Sequence, residues 1–171
     1  MSAQDDLYIE AAQLYGAALQ RLARAYEADS EKQHDLLQEI HFAIWRSLEK
    51  YEARCTLRTW VYRVAHNTAA SHVMRQRRTR AGTLLSLAEI DAAADGTDLI
   101  RQMDDRAAIE RLYKMIHRLK PLDRNLMLLY LEDLDAPSIA EITGLSPGAV
   151  RVQIHRIKTL IIQRFQRGNI T

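Results

Sequence analysis

Residues 138–160 read SIAEITGLSPGAVRVQIHRIKTL and decide the fold of the C-terminal part of the chain. Gly144 can adopt the left-handed conformation that ends a helix, and Ser146 followed by Pro147 is typical of a helix start. The pattern therefore predicts two short helices joined by a tight turn. The second helix has a buried apolar stripe at helical spacing and a polar, basic opposite face. The stripe comprises Val150, Ile154, Ile157 and Ile161, and the opposite face carries Arg151, Val152, His155, Arg156 and Lys158.

Such a helix pair is either a helix-turn-helix, whose second helix enters the DNA major groove, or an αα-hairpin of an ordinary helical protein. The charge pattern favours DNA binding. Counting Lys and Arg against Asp and Glu, the net charge is −5, +7, −5 and +5 over residues 1–45, 46–80, 81–110 and 111–171. Two basic blocks separated by acidic ones indicate two separate contacts with a polyanion.

The composition limits the class of protein. The chain has 171 residues with 6 glycines and 3 prolines, and no segment alternates apolar with polar residues, so we predict an all-α fold. The single cysteine, Cys55, excludes an internal disulfide and a multi-cysteine zinc site. The acidic N-terminal segment is not a signal peptide, and no apolar run is long enough to span a membrane. We therefore expect a cytoplasmic protein without membrane insertion.

Amphipathic periodicity predicts three helices in the N-terminal part, over residues 4–28, 31–50 and 57–79, with a break and a helix cap at Asp29–Ser30. The predicted buried stripe of the first helix is Leu7, Ala11, Leu14, Ala18, Leu22 and Ala25. That of the second is Leu36, Leu37, Ile40, Ile44 and Leu48. The third is expected to bury Leu57, Trp60, Val61, Val64, Ala65 and Thr68.

Residues 81–105 lose this periodicity and are rich in small and acidic side chains, which indicates a flexible linker and a domain boundary. Helices are predicted again over residues 106–120 and 121–132, and Asp135 can cap the helix that follows. The sequence therefore predicts an all-α chain of two small helical bundles, residues 1–80 and 106–171, joined by the linker.

Two segments together resemble a known family. Residues 34–67 read HDLLQEIHFAIWRSLEKYEARCTLRTWVYRVAHN, and residues 118–161 read RLKPLDRNLMLLYLEDLDAPSIAEITGLSPGAVRVQIHRIKTLI. They resemble regions two and four of a bacterial sigma factor, and their direct succession is similar to the extracytoplasmic-function (ECF) type, which lacks a region three. The resemblance implies binding to core RNA polymerase, recognition of −10 and −35 promoter elements and help in opening the DNA. It implies no enzymatic activity, no cofactor and no small-molecule substrate.

The resemblance also implies site residues in the first bundle. Residues implied to dock on the β′ clamp helices of the polymerase are Asp35, Gln38, Glu39 and Trp45, although Trp45 could equally be a core aromatic. The loop over residues 52–56 matches the one that captures a flipped −10 base. The implied −10 contacts are Glu52, Arg54, Thr56, Arg58, Asn67, Ser71, Arg75 and Arg78.

In the second bundle the implied −35 contacts are Ser146, Gly148, Arg151, Val152, Gln153, His155 and Arg156. Arginine can read a guanine edge, while the helix start suits phosphate. Gln153 borders the buried stripe and could serve either packing or DNA. The β flap is the implied second polymerase contact, and an anti-sigma factor is the expected restraining partner. His34 and Pro137–Ser138 depart from the acidic residues common in the family at these places.

The sequence also allows two other classes of protein. One is a dimeric helix-turn-helix regulator with an N-terminal sensing or dimerisation domain, which would bind a palindromic site. The other is an enzyme acting on DNA. Against the enzyme, the chain shows no Ser/His/Asp set, no paired carboxylates and no phosphate-binding glycine loop. The six histidines also lack metal-ligand spacing, so no metal site is expected.

Overall fold

The helices begin close to the positions that the sequence predicts. The computed structural model describes residues 2–81 and 105–167, and within these ranges the chain forms seven helices and no strand. They are α1 (Ala3–Tyr26), α2 (Ser30–Leu48), α3 (Leu57–Ala81), α4 (Asp105–His117), α5 (Pro121–Leu131), α6 (Ala136–Thr143) and α7 (Pro147–Arg167). The all-α prediction is confirmed. The predicted linker lies outside the described residues, apart from its two end positions.

Side-chain caps fix several helix starts. Ser2 and Asp5 form a capping box at α1. At α2, the Asp29 carboxylate accepts hydrogen bonds from two backbone N–H groups. At α6, the Asp135 carboxylate accepts from the N–H of Ser138 at 2.9 Å. Each cap supplies a partner to N–H groups that have none within the helix. The cap predicted at Asp29–Ser30 is found at Asp29, and the predicted cap at Asp135 is confirmed.

The turn between α6 and α7 has the predicted geometry. Gly144 adopts the left-handed conformation with φ of 79°, and its N–H donates to the Ala140 carbonyl at 2.8 Å. Ser146 then caps α7, because its Oγ accepts from the N–H of Ala149 at 3.2 Å. Pro147 is the first residue of the helix, where its missing N–H costs nothing.

The first hydrophobic core lies between α1, α2 and α3. Its largest fully buried side chains include Leu19, Leu36, Ile40 and Ile44, so the α2 stripe is confirmed, with Leu37 half-buried. The inclusion of Leu14 in the α1 stripe is wrong, since its side chain is 61% exposed. The side of α1 that α2, α3 and α4 cover is rotated away from Leu14 and includes Leu19, Ala23 and Tyr26, which the predicted stripe omits.

The second core lies between α5, α6 and α7. Its members include Leu126, Leu129 and Ile139. The predicted α7 stripe is confirmed, because Val150, Ile154, Ile157 and Ile161 are all buried. This packing fixes the rotation of α7 about its own axis and so decides which side chains α7 presents to the outside.

The two bundles also pack against each other. Ala18 and Tyr62 of the first bundle belong to the second core, while Ile116 and Leu128 of the second bundle belong to the first. The most extensive helix contacts across the boundary are those of α3 with α6 and of α1 with α4. Along residues 2–81 and 105–167, no helix is long and apolar enough to cross a membrane.

Candidate nucleic-acid interface

Helix α7 turns the four central −35 candidates outward. Opposite its buried stripe, Arg151, Val152, His155 and Arg156 are all exposed, Val152 by 69%. In a major groove such a face offers guanidinium donors to guanine edges and methyl groups to thymine. The face that the sequence predicts is therefore present at the surface.

The other −35 candidates differ in their surroundings. Gln153 is held by a second side chain, because its Nε2 donates to the Asp123 carboxylate on α5 at 2.7 Å. Ser146 is used as the α7 cap. Gly148 is exposed, and a Cβ there would meet nothing within 4 Å, so a phosphate could approach the backbone closely. No local sequence pattern indicates the contact with Asp123, because the two residues lie 30 positions apart.

Helix α2 presents an exposed stripe at coiled-coil spacing. Asp35 and Gln38 are exposed at one end, and Trp45 is 39% exposed at the other. Trp45 Nε1 donates to the Asp5 carboxylate at 3.1 Å. Between them lies Phe42, which is 61% exposed and stacks on Trp45 with ring centroids 6.3 Å apart. Phe42 is not among the predicted docking residues, although its position four residues after Gln38 places it on the same side of the helix.

Glu39 is placed differently from the rest of this group. Its carboxylate forms an ion pair with Arg75 of α3 and lies 3.5 Å from Nδ1 of His72. His72 also contacts the buried Glu27 at 2.7 Å. Glu39 is consequently half-buried between α2 and α3, although the sequence predicts that it is exposed. Glu39, a polymerase-docking candidate, is thus paired with Arg75, a −10 candidate.

The loop before α3, residues 52–56, is largely exposed and is held by contacts among its own residues and with Tyr51. Glu52 and Arg54 form an ion pair at 2.6 Å, and Ala53 between them has a positive φ of 55°. The Tyr51 hydroxyl donates to the Cys55 carbonyl at 2.8 Å. Thr56 accepts from the N–H of Thr59 at 3.1 Å and so marks the start of α3. The loop therefore offers short polar groups on a fixed backbone, which suits capture of an unstacked base.

The −10 candidates on α3 fall into two groups. Asn67, Ser71 and Arg78 are exposed along one side of the helix. Arg75 is partly exposed but paired with Glu39. Arg58 is half-buried, and its guanidinium donates to the Glu132 carbonyl at the end of α5 at 2.6 Å. The sequence predicts that Arg58 projects from the bundle, and no local pattern indicates that the second bundle covers it.

Buried histidines near this surface serve structure. Complete burial lowers the pKa of His66 to about 4, and its ring lies against the Asn125 side-chain oxygen. Half-buried His117 also has a lowered pKa, chiefly through desolvation. Within the described ranges, no group of three His, Cys, Asp or Glu side chains is arranged to hold a metal ion.

Comparison with known proteins decides the family. The model for "Sigma-70 region 2" matches residues 12–79, and that for "Sigma-70, region 4" matches residues 109–161. The "ECF RNA polymerase sigma-E factor" of Haemophilus influenzae is 30% identical over 140 residues, which cover 77% of this chain and 74% of that protein. The chain belongs to the ECF sigma factors. The sigma-E factor of Escherichia coli K12 is 27% identical, covering 77% of this chain and 73% of that protein.

Relatives beyond the sigma-E group agree with this assignment. The "RNA polymerase sigma factor NccH" of Alcaligenes xylosoxydans is 22% identical over 99% of this chain and 93% of its own length. RpoE of Bartonella quintana, solved with the anti-sigma factor NepR, shares the fold with a TM-score of 0.72 at 15% identity over 93% of this chain and 96% of that one. CnrH, solved with the cytosolic domain of CnrY, gives 0.65 at 18% identity over 94% of this chain and 88% of that one.

Membership of this family confirms the sigma-factor prediction. An ECF sigma factor directs core RNA polymerase to promoters, and it is a transcription initiation factor rather than an enzyme. The region-two match spans α1 to α3, and the region-four match spans α4 to α7. The alternative of a dimeric helix-turn-helix regulator is not favoured, because it would not carry a region two.

Proposed function

We propose that this ECF sigma factor docks on core polymerase through α2, captures the −10 element with the loop before α3, and reads the −35 element with α7. One observation carries the proposal: four −35 candidates of α7 share an exposed face behind a capped helix start. A recognition helix of a helix-turn-helix presents its N-terminal residues in this way.

The exposed stripe of α2 supports the polymerase part of the proposal. Asp35 and Gln38 supply polar groups that set register, and Phe42 with Trp45 supplies an aromatic pair of the kind enriched in interface centres. The partners would be the β′ clamp helices, with the β flap as the contact for region four. Glu39 fits this group less well, because Arg75 and His72 already hold its carboxylate.

On the DNA side, the proposal assigns each element a distinct role. The loop over residues 52–56 would hold the unstacked base, and Asn67, Ser71 and Arg78 would follow the strand along α3. Guanidinium groups contribute the salt-dependent part of such binding. Residues 1–80 and 106–171 would act as separate units on the promoter, joined by residues 81–105. The protein would act in the cytoplasm and would be restrained by an anti-sigma factor, the class of partner with which RpoE of Bartonella quintana was solved.

Co-purification with core polymerase tests the proposal. Wild-type protein is expected to elute with core in gel filtration, and Asp35→Ala combined with Gln38→Ala is expected to lower the affinity at least about tenfold. Glu10→Ala, a change at an exposed carboxylate of α1, serves as the matched control and should bind as wild type. A protein that elutes apart from core, as a dimer that binds a palindromic duplex, would overturn the proposal.

A further inference from the structure

Gln153 on α7 is paired with Asp123 on α5 at the edge of the exposed recognition face. The amide nitrogen Nε2 of Gln153 donates to Oδ1 of Asp123 at 2.7 Å. Asp123 is the third residue of α5, and α5 packs against α7. A carboxylate in the first turn of a helix is stabilised by the helix dipole. Asp123 is therefore a fixed hydrogen-bond acceptor beside the helix that is proposed to enter the major groove.

The Gln153 side chain belongs to the N-terminal part of α7. A helical side chain leans toward the N-terminus of its helix, so that of Gln153 extends toward Ala149, four residues earlier on the same side. Gly148 and Ala149 are exposed and are the smallest residues, which leaves room for a base edge to approach. The N-terminal residues of a recognition helix are the ones that contact bases. Gln153 is thus placed where α7 is suited to direct readout.

The Asp123 carboxylate fixes which end of the glutamine amide faces α5. A free amide can turn about its last bond and present either its oxygen acceptor or its NH2 donor at the same place. A carboxylate only accepts, so it holds the NH2 group of Gln153 on the α5 side. Within residues 2–81 and 105–167, no buried side-chain nitrogen or oxygen lacks a hydrogen-bond partner. The Gln153 oxygen has no protein partner in these ranges, so it is open to solvent and available to DNA.

We propose that Asp123 is a positioning residue for reading the −35 element, and that it orients Gln153 to select adenine at one base pair. The amide oxygen accepts from N6 of adenine, and the second amide hydrogen donates to N7, which is the two-pronged contact that glutamine makes with adenine. Guanine presents only acceptors at these places, O6 and N7, so its O6 meets the amide oxygen without a hydrogen bond. A glutamine that is free to turn can donate to guanine and loses this discrimination.

The base preference of the holoenzyme tests this inference, which rests on the proposed function because it requires α7 in the major groove. Core RNA polymerase with the full-length protein is incubated with a library of duplexes randomised over both promoter elements, and the bound DNA is sequenced. Wild-type holoenzyme should favour adenine over guanine at one −35 position by about tenfold. Gln153→Ala should lose that preference and keep the preferences at the other −35 positions.

Replacement of Asp123 should relax the same position, although Asp123 itself touches no base. In Asp123→Ala the glutamine amide can turn, so the preference for adenine over guanine should fall to about twofold or less at that position alone. Asp123→Ala combined with Gln153→Ala should lose no more than Gln153→Ala does, because the two residues act through one contact. A brace that merely holds α5 against α7 would instead weaken binding to all sequences alike.

Asp123→Asn separates the hydrogen bond from the charge. Like Asp123→Ala, it removes one negative charge close to the DNA, which raises the affinity for every sequence. Only Asp123→Asn keeps a side-chain oxygen that can accept from Nε2 of Gln153. It should therefore retain more of the adenine preference than Asp123→Ala does. An equal loss in the two variants would show that the charge, and not the orientation of the amide, sets the preference, and would overturn the inference.

The remaining outcomes distinguish the inference from the proposed function. A wild-type holoenzyme with no −35 preference at any position would overturn both. A −35 preference that Gln153→Ala or Asp123→Ala leaves unaltered, or that Asp123→Ala weakens equally at every position, would overturn the inference alone. Circular dichroism of the free proteins shows whether each variant is folded. If Asp123→Ala does not fold, Asp123→Ser, whose shorter side chain does not reach Gln153, takes its place with the same expected result.

Discussion

Arg124 joins α4 to α5 from inside the second bundle, and its replacement gives the sharpest test of the packing described here. The side chain is buried, and its guanidinium donates to three carbonyls at and just beyond the end of α4. These are the carbonyls of Ile116 at 3.2 Å, His117 at 2.5 Å and Leu119 at 3.2 Å. The last carbonyls of a helix have no partner within it. Desolvation lowers the pKa of Arg124, yet arginine keeps its charge in proteins.

We predict that Arg124→Ala lowers the free energy of unfolding by about 3–5 kcal/mol. Three charge-assisted hydrogen bonds to backbone carbonyls are lost, and this loss is partly offset by the relieved desolvation of the guanidinium. For a chain of this size the melting temperature should fall by about 10 °C. Arg124→Lys keeps the charge but not the planar fork, and it should lose about half as much.

Thermal and urea unfolding followed by circular dichroism measure this effect. Arg118→Ala, at an exposed neighbouring position, is the matched control and should change the stability by less than about 0.5 kcal/mol. If Arg124→Ala costs less than about 1 kcal/mol, the guanidinium does not hold α4 and α5 together as described.

Three further predictions concern pH, the turn and promoter reading. In the unfolded chain His66 becomes protonated below its usual pKa of 6.5, whereas in the folded chain burial lowers this pKa to about 4. Stability should therefore decline by up to about 3 kcal/mol as pH falls between these values, and His66→Phe should flatten that dependence. Gly144→Ala should cost about 1 kcal/mol because φ is positive with open space around it, while Gly144→Asn should cost less. In the holoenzyme, Arg151→Ala should relax discrimination at one −35 base pair by about 1–3 kcal/mol in competition binding. Arg167→Ala, in the last turn of α7, should leave that discrimination unchanged.

Local patterns predict much of this fold. The caps at Asp29 and Asp135 and the left-handed Gly144 are local features, because each depends on residues within a few positions. The apolar stripes of α2 and α7 are likewise local, since helical spacing alone brings their members to one face. The basic face of α7 then follows as the opposite side of its stripe.

Contacts between residues far apart in the chain account for the burial that the sequence does not predict. Tyr62 and His66 are buried because region four covers a second side of α3, and no periodicity within α3 reveals a covering element from elsewhere in the chain. Arginine is usually a surface residue, but Arg124 is buried because its guanidinium donates to backbone carbonyls at the end of α4. Glu39 was likewise expected at the surface, because its partner Arg75 lies 36 positions away and no local pattern links the two.

Run-off transcription with purified core RNA polymerase tests the central claim most directly. Core supplemented with this protein should produce specific transcripts from templates carrying its −10 and −35 elements, and core alone should not. Arg151→Ala combined with Arg156→Ala should abolish this activity on promoters that depend on the −35 element, while binding to core is retained. If core with the protein starts transcription no more specifically than core alone, the claim is contradicted.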